Sequence, residues 1–251
     1  MSAALALGQR SLREAARSPD AIVPTLFIPL FFLVVNTGQA AKIFPSGSTD
    51  FLNGQGYGAF QLPTTLLLAS SFGAAALFLV EEIEGGYFDK LRATPIPRAS
   101  IVLGRLIAEG VKCVLIAALI VLLSLPFGIS IASGPLGFVL LIALTAGWGV
   151  VYSGFMQLIA LNTRSAAATQ SGGLIFFPLL FLTPNFVPRE LLTEPMEVAA
   201  TLNPVTYLME SLRSLILEDF DWASIWPGFA VLVGLGALML WLNVRVIARY
   251  D

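Results

Sequence analysis

The sequence predicts an all-α integral membrane protein with six transmembrane helices, and three observations carry that prediction. Of 251 residues, 57% are hydrophobic and only 12% are charged, a balance that a water-soluble domain of this size has too little interior to hide. Five charge-free runs, 21–41, 51–80, 113–163, 165–188 and 222–244, each provide the roughly 20 residues of helix needed to cross an apolar core about 30 Å thick. Pro126-Phe127-Gly128 and Gly134-Pro135 place a turn inside the 51-residue run, which divides it in two and makes six spans. A membrane barrel would instead show segments of about ten residues with alternating polarity. With no histidine and one cysteine, the usual zinc sites, histidine bases and disulfide frameworks are excluded, and no metal site is expected. Cys113 opens an apolar run and reads as an inert packing residue.

The elements follow in order. Residues 1–19 form an interface helix, with Arg10, Arg13, Glu14 and Arg17 on one face and Leu5, Leu12 and Ala16 roughly opposite, the pattern of a helix lying on a membrane surface. Span 1 covers 21–41. A signal peptide is disfavoured because this stretch is long and holds Pro24 and Pro29. A loop rich in turn formers leads to span 2 at 59–80, where Ser70, Ser71 and Gly73 allow close helix approach. Glu81-Glu82-Ile83-Glu84-Gly85-Gly86 ends it, since paired glycines are costly inside a helix. From 86 to 93 the residues allow two helical turns with Tyr87, Phe88 and Leu91 on one side, and Thr94-Pro95 stops them. This is a short, apolar-tipped element projecting into the cytosol.

Span 3, at 101–126, begins with Arg105, Glu109 and Lys112, spaced four and three apart on one face. They form either a salt-bridged stripe at the interface or a cytoplasmic gate. Span 4 covers 136–161 and span 5 covers 166–185. Phe72, Gln157, Gln170, Phe176, Phe177 and Asn185 are the candidate lining of a translocation path, with spans 1, 2 and 5 around it. Residues 187–220 are too charged to cross and too long for a plain loop. There Asn203-Pro204 is a helix cap followed by proline at the first helical position, and Val205, Leu208, Leu212 and Leu215 make an apolar face. An external helical hairpin is expected, carrying Tyr207, Glu210 and Arg213, with Leu191 and Leu192 as anchors. Span 6, at 224–246, is preceded by Trp222.

Basic residues set the orientation. With the N-terminus inside, Arg10, Arg13, Arg17, Lys90, Arg92, Arg98, Arg105, Lys112, Arg164, Arg245 and Arg249 are cytoplasmic, and only Lys42, Arg189 and Arg213 are outside. Both termini are therefore expected in the cytoplasm.

Two stretches resemble a known family. Gly85-Gly86-Tyr87-Phe88-Asp89-Lys90-Leu91-Arg92-Ala93-Thr94-Pro95-Ile96-Pro97-Arg98, continued by Val102-Leu103-Gly104-Arg105, and Asn203-Pro204-Val205-Thr206-Tyr207-Leu208-Met209-Glu210-Ser211-Leu212-Arg213 are similar to motifs of the type-2 ABC export permeases, a bacterial family that includes drug, polysaccharide and teichoic-acid exporters. Tyr87 departs from the small residue or threonine common in relatives. The resemblance implies that 82–94 is a coupling helix seated in an ATP-binding subunit. Glu82, Gly85, Gly86, Tyr87, Phe88, Lys90, Leu91, Arg92, Thr94, Pro95 and Arg98 would make that contact. It also implies two ATPase copies, a second permease subunit, and a place in the bacterial plasma membrane among its lipids, with no nucleic-acid partner. ATP and magnesium would be bound by the partner, because the chain has no G-x-x-x-x-G-K-[ST] phosphate loop. No catalytic residue is expected. Aromatic and small side chains with few fixed charges suit an amphipathic or lipophilic, drug-like cargo. Export of lipid, glycolipid or polysaccharide is the alternative, and ion coupling through Glu109 a more distant one.

Overall fold

The computed structural model describes residues 3–16, 19–47, 49–72, 75–94 and 96–249. Arg17, Gly73 and Pro95 lie outside the described residues, as do the side chains of Glu14, Arg92 and Arg98. The described regular structure is helical: α1 (Ala3–Ala16), α2 (Pro19–Ala40), α3 (Tyr57–Ser71), α4 (Ala75–Glu84), α5 (Tyr87–Arg92), α6 (Arg98–Ser124), α7 (Gly134–Thr163), α8 (Ala166–Gly173), α9 (Phe176–Phe181), α10 (Glu194–Leu202), α11 (Pro204–Leu217) and α12 (Trp222–Ala248). The α4–α5–α6 corner defines a proximal end, and α10 marks the distal one.

Among the described residues, five stretches are long and apolar enough to cross a membrane: Val23–Ala40, Tyr57–Glu84, Ala99–Phe127, Gly134–Thr163 and Trp222–Ala248. The expected span at 166–185 takes a different form. It is split into α8 and α9, and the apolar stretch Ala166–Phe181 would rise only about 24 Å even if it were straight. Gly172-Gly173 weakens the helix at the split, and Pro178 cannot donate to Leu174 O. Tyr152 on α7 donates to the freed Gly173 carbonyl at 2.7 Å. The expected span at 59–80 is also interrupted. α3 ends at Ser71, Phe72 is non-helical at φ −83° and ψ 83°, and its carbonyl accepts from Thr25 Oγ1 at 3.0 Å.

α1, expected as an interface helix, packs against α6 at a crossing of two glycines. A Cβ on Gly104 would stand 2.8 Å from Leu7 Cβ, and one on Gly8 would stand 3.0 Å from Gly104 O. Its other side leaves Leu5 exposed.

The expected hairpin divides unequally. α10 is at the surface with Val198 and Leu202 exposed, and Leu191, expected as an anchor, is 61% exposed. α11 is core: Val205, Leu208, Met209, Leu212, Leu215 and Ile216 are wholly buried, against α3, α7 and α12. Asn203 caps it by accepting from Val205 N at 3.0 Å, and its amide donates to Leu179 O at 2.5 Å. Helix ends leave carbonyls without internal partners, and those of α11 are taken by the flanking connections. Asn53 Nδ2 donates to Leu217 O at 3.1 Å, Gln55 Nε2 to Ile216 O at 2.8 Å and Ser133 Oγ to Leu215 O at 2.5 Å. α12 opens on Asp221, whose carboxylate is held below its usual range by the Ser224 hydroxyl and the Ala223 N–H. Trp222 and Trp226 are exposed beside it.

Candidate coupling element and helix-break cavity

α4 ends in a left-handed turn at Gly86, φ +68°, a conformation that glycine adopts without a Cβ penalty. The turn sets the six-residue α5 against α4, and Thr94 closes it by donating from Oγ1 to Leu91 O at 2.5 Å. The direction of its apolar side differs from the expected tip. Phe88 and Leu91 are buried, at 1% and 8% exposure, whereas Tyr87 and Lys90 are exposed. A two-turn helix this short needs its apolar side to hold it against the bundle, so the exposed side chains described on it are an aromatic ring, Tyr87, and a cation, Lys90.

Glu82 also turns inward. It sits on α4, buried, and its carboxylate pairs with Arg105 on α6 and, at 2.7 Å, with Arg10 on α1. Arg10 in turn lies 4.1 Å above the Tyr87 ring, a cation–π contact. One arginine thus joins α1, α4 and α5, and one carboxylate joins α1, α4 and α6. Arg105 therefore leaves the expected ladder with Glu109 and Lys112. Those two pair at 2.5 Å, with Glu109 buried and its Oε1 3.6 Å from Cys113 Sγ.

Four of the six candidate path residues come together. Phe72, Gln170, Phe176 and Phe177 line a cavity of about 320 Å³ with Tyr152 and Met156, placed where both interrupted helices break. Phe72 meets Phe177 edge-on at 6.2 Å, and Trp148 and Tyr152 lie 6.0 and 5.4 Å from Phe176. Among the described residues, no charged side chain lines it. Its volume lies in the range of small-molecule pockets, about 300–1,000 Å³. The other two residues are elsewhere. Gln157 is fully buried within α7 and donates to Ser153 Oγ at 3.3 Å. Asn185 accepts from Thr64 Oγ1 at 2.5 Å, and its carbonyl accepts from Gln61 at 3.0 Å. Tyr152 and Met156 escaped sequence reasoning, although their i,i+4 spacing would have placed them on one face.

A second cavity, of about 570 Å³, opens at the distal end and includes Tyr207, Glu210 and Arg213 from the expected hairpin. Arg189 holds Glu210 with two hydrogen bonds, at 2.9 and 2.6 Å. Arg213 lies 3.6 Å from the Phe60 ring centroid and donates to Pro184 O at 3.0 Å. Burial pulls its guanidinium down to about 10, with Glu210 opposing, so it keeps its charge at neutral pH.

Over 250 residues, 98% of this chain and 86% of the relative, it is 23% identical to the daunorubicin resistance ABC transporter permease protein DrrB1 of Streptomyces coeruleorubidus. Residues 2–217 match the family described as ABC-2 type transporter, a span that takes in both the coupling corner and α11. The chain belongs to the ABC-2 type transporter family, whose membrane subunits work with an ABC ATP-binding subunit.

Proposed function

We propose that this chain is the transmembrane subunit of an ATP-driven exporter for an amphipathic or lipophilic, drug-like compound. It would act in the bacterial plasma membrane with both termini in the cytoplasm. A second permease subunit and two ATPase copies would complete the machine, with ATP and magnesium bound by the ATPases. The observation that carries this reading is the uncharged aromatic cavity at the two helix breaks. Apolar rings there can stack on a flat cargo, and Gln170 supplies one polar edge. Family membership and the name of the daunorubicin resistance relative point the same way.

The coupling corner supplies the drive. When ATP draws the partner ATPases together, the exposed side of α5 is pushed. The contacts of Arg10 and Glu82 oblige α1, α4 and the start of α6 to move with it. α4 follows α3 after Phe72, which is itself part of the cavity wall, so displacement of the corner changes the shape of the cavity. Ion coupling is less well supported, because Glu109 is already neutralised by Lys112.

The test is ATP-dependent uptake of daunorubicin into inside-out vesicles carrying the chain and its ATP-binding subunit. Uptake should need ATP and should fall about tenfold or more in Phe72→Ala with Phe177→Ala, by loss of ring contacts. Uptake that is indifferent to ATP, or to both substitutions, would overturn the reading. ATP-driven movement of a labelled lipid in place of daunorubicin would favour the lipid-export alternative.

A further inference from the structure

Most of α12 is left uncovered by the rest of the bundle, and one side chain fixes which face that is. Asn243 is wholly buried, and its Nδ2 donates to Gly154 O on α7 and to Met239 O one turn back, both at 2.8 Å. A residue two positions from Asn243 is turned about 200° around the helix. Trp241 and Arg245 therefore have to point away from the bundle, and both are exposed. Trp222, Trp226, Val233 and Leu238 are exposed on the same helix. The axial distance from Trp222 to Trp241 is about 28 Å, close to the thickness of an apolar bilayer core of about 30 Å. α12 thus sets tryptophan at both boundaries of that core, and Arg245 lies about 6 Å beyond the second.

The two boundaries differ in charge. Asp221 stands next to Trp222 at the distal one. At the proximal one, the Arg245 guanidinium lies 5.1 Å from the Trp241 ring centroid, and Arg249, also exposed, follows one turn later. Neither arginine is ion-paired among the described residues. A helix dipole favours a cation near the C-terminus, but it is indifferent to the face that carries the cation. Here both cations are accessible, unmatched and on the side turned to lipid.

We propose that the proximal end of α12 is a docking site for an anionic phospholipid. The phosphodiester takes the guanidinium groups of Arg245 and Arg249, whose planar donors match phosphate oxygens, and an acyl chain lies along Trp241 and Leu238. Stacking on Trp241 holds the Arg245 fork in place before the lipid arrives. A zwitterionic lipid brings its own ammonium to the same phosphate and is held less well. The site is independent of what the helix-break cavity carries.

The test is quenching of tryptophan fluorescence by brominated lipids, with the full chain reconstituted in mixtures of phosphatidylglycerol and phosphatidylcholine in which one or the other is brominated. The difference between the unaltered chain and Trp241→Phe isolates the Trp241 signal, and the difference from Trp222→Phe with Trp226→Phe isolates the distal boundary. At Trp241, phosphatidylglycerol should be preferred by about fivefold or more, the effect of one basic side chain near an anionic lipid surface. Arg245→Gln with Arg249→Gln should bring that preference to about one, and the distal boundary should show about one throughout. No preference at Trp241 in the unaltered chain, a preference that survives loss of both arginines, or an equal preference at the distal boundary would overturn the proposal.

Discussion

Glu82 holds two arginines, and the two pairs are not equal. Its contact with Arg105 is buried on both sides, whereas Arg10 keeps 39% of its side chain exposed. Removing one partner of a buried pair costs about 3–5 kcal/mol, because the remaining charge loses its compensation, and an exposed pair contributes about 0–1 kcal/mol. Glu82→Ala should therefore destabilise the protein more than Arg10→Ala, which should cost less than about 1 kcal/mol. Denaturant unfolding in detergent measures both, and equal losses would contradict this ranking. The partners of this cluster were not legible in the sequence. Arg105, Glu109 and Lys112 have helical spacing, so periodicity joined them to one another. Glu82 and Arg105 are 23 residues apart on different helices, and no local period connects them.

The helices themselves were largely legible, because charge-free length and proline–glycine turns are local signals. What tertiary contact decides was less so. α5 could be placed and bounded from Gly85-Gly86 and Thr94-Pro95, but the direction of its apolar side depends on what lies beneath it. Leu91→Asp would put a carboxylate into the core and should prevent stable folding, whereas Lys90→Glu changes an exposed charge. Size-exclusion profiles should show Lys90→Glu folded and Leu91→Asp lost. ATPase stimulation should drop in the folded Lys90→Glu protein if α5 is the docking element. The α1–α6 crossing was likewise hidden, although Gly104 stands in a matched motif. Gly104→Val would drive its Cβ into Leu7 and Ala4 and should cost about 1–3 kcal/mol through overpacking. Faster proteolysis of the first 16 residues is the expected sign, and an unchanged digestion rate would count against the close crossing. Similarly, α11 had a recognisable cap and apolar face, yet its depth could not be read. The carbonyls at its end are held by Asn53, Gln55 and Ser133, whose local sequence is that of plain connecting loops.

The molecule is a bundle whose two ends differ in chemistry. Its proximal end is a tight charged corner, and its distal end is a wide cavity with α11 sunk beside it. On the proposed orientation, drawn from the eleven-to-three division of basic residues, the proximal end faces the cytoplasm. Single cysteines at Glu194 and Glu218, introduced after Cys113→Ser, should react with an impermeant thiol reagent added to intact cells. Labelling that requires lysis would invert the orientation.

The split between α8 and α9 also bears on how the chain is made. A 16-residue apolar stretch broken at its middle has neither the length nor the closed backbone to be released into lipid alone. Its freed carbonyl is covered by Tyr152, on the helix synthesised just before it. During biogenesis, α7 must therefore wait at the insertion site until Phe181 has emerged, and the two must enter the bilayer as one hairpin. A nascent chain arrested before Phe181 has emerged should still crosslink through α7 to the insertion machinery, and one arrested well beyond it should not.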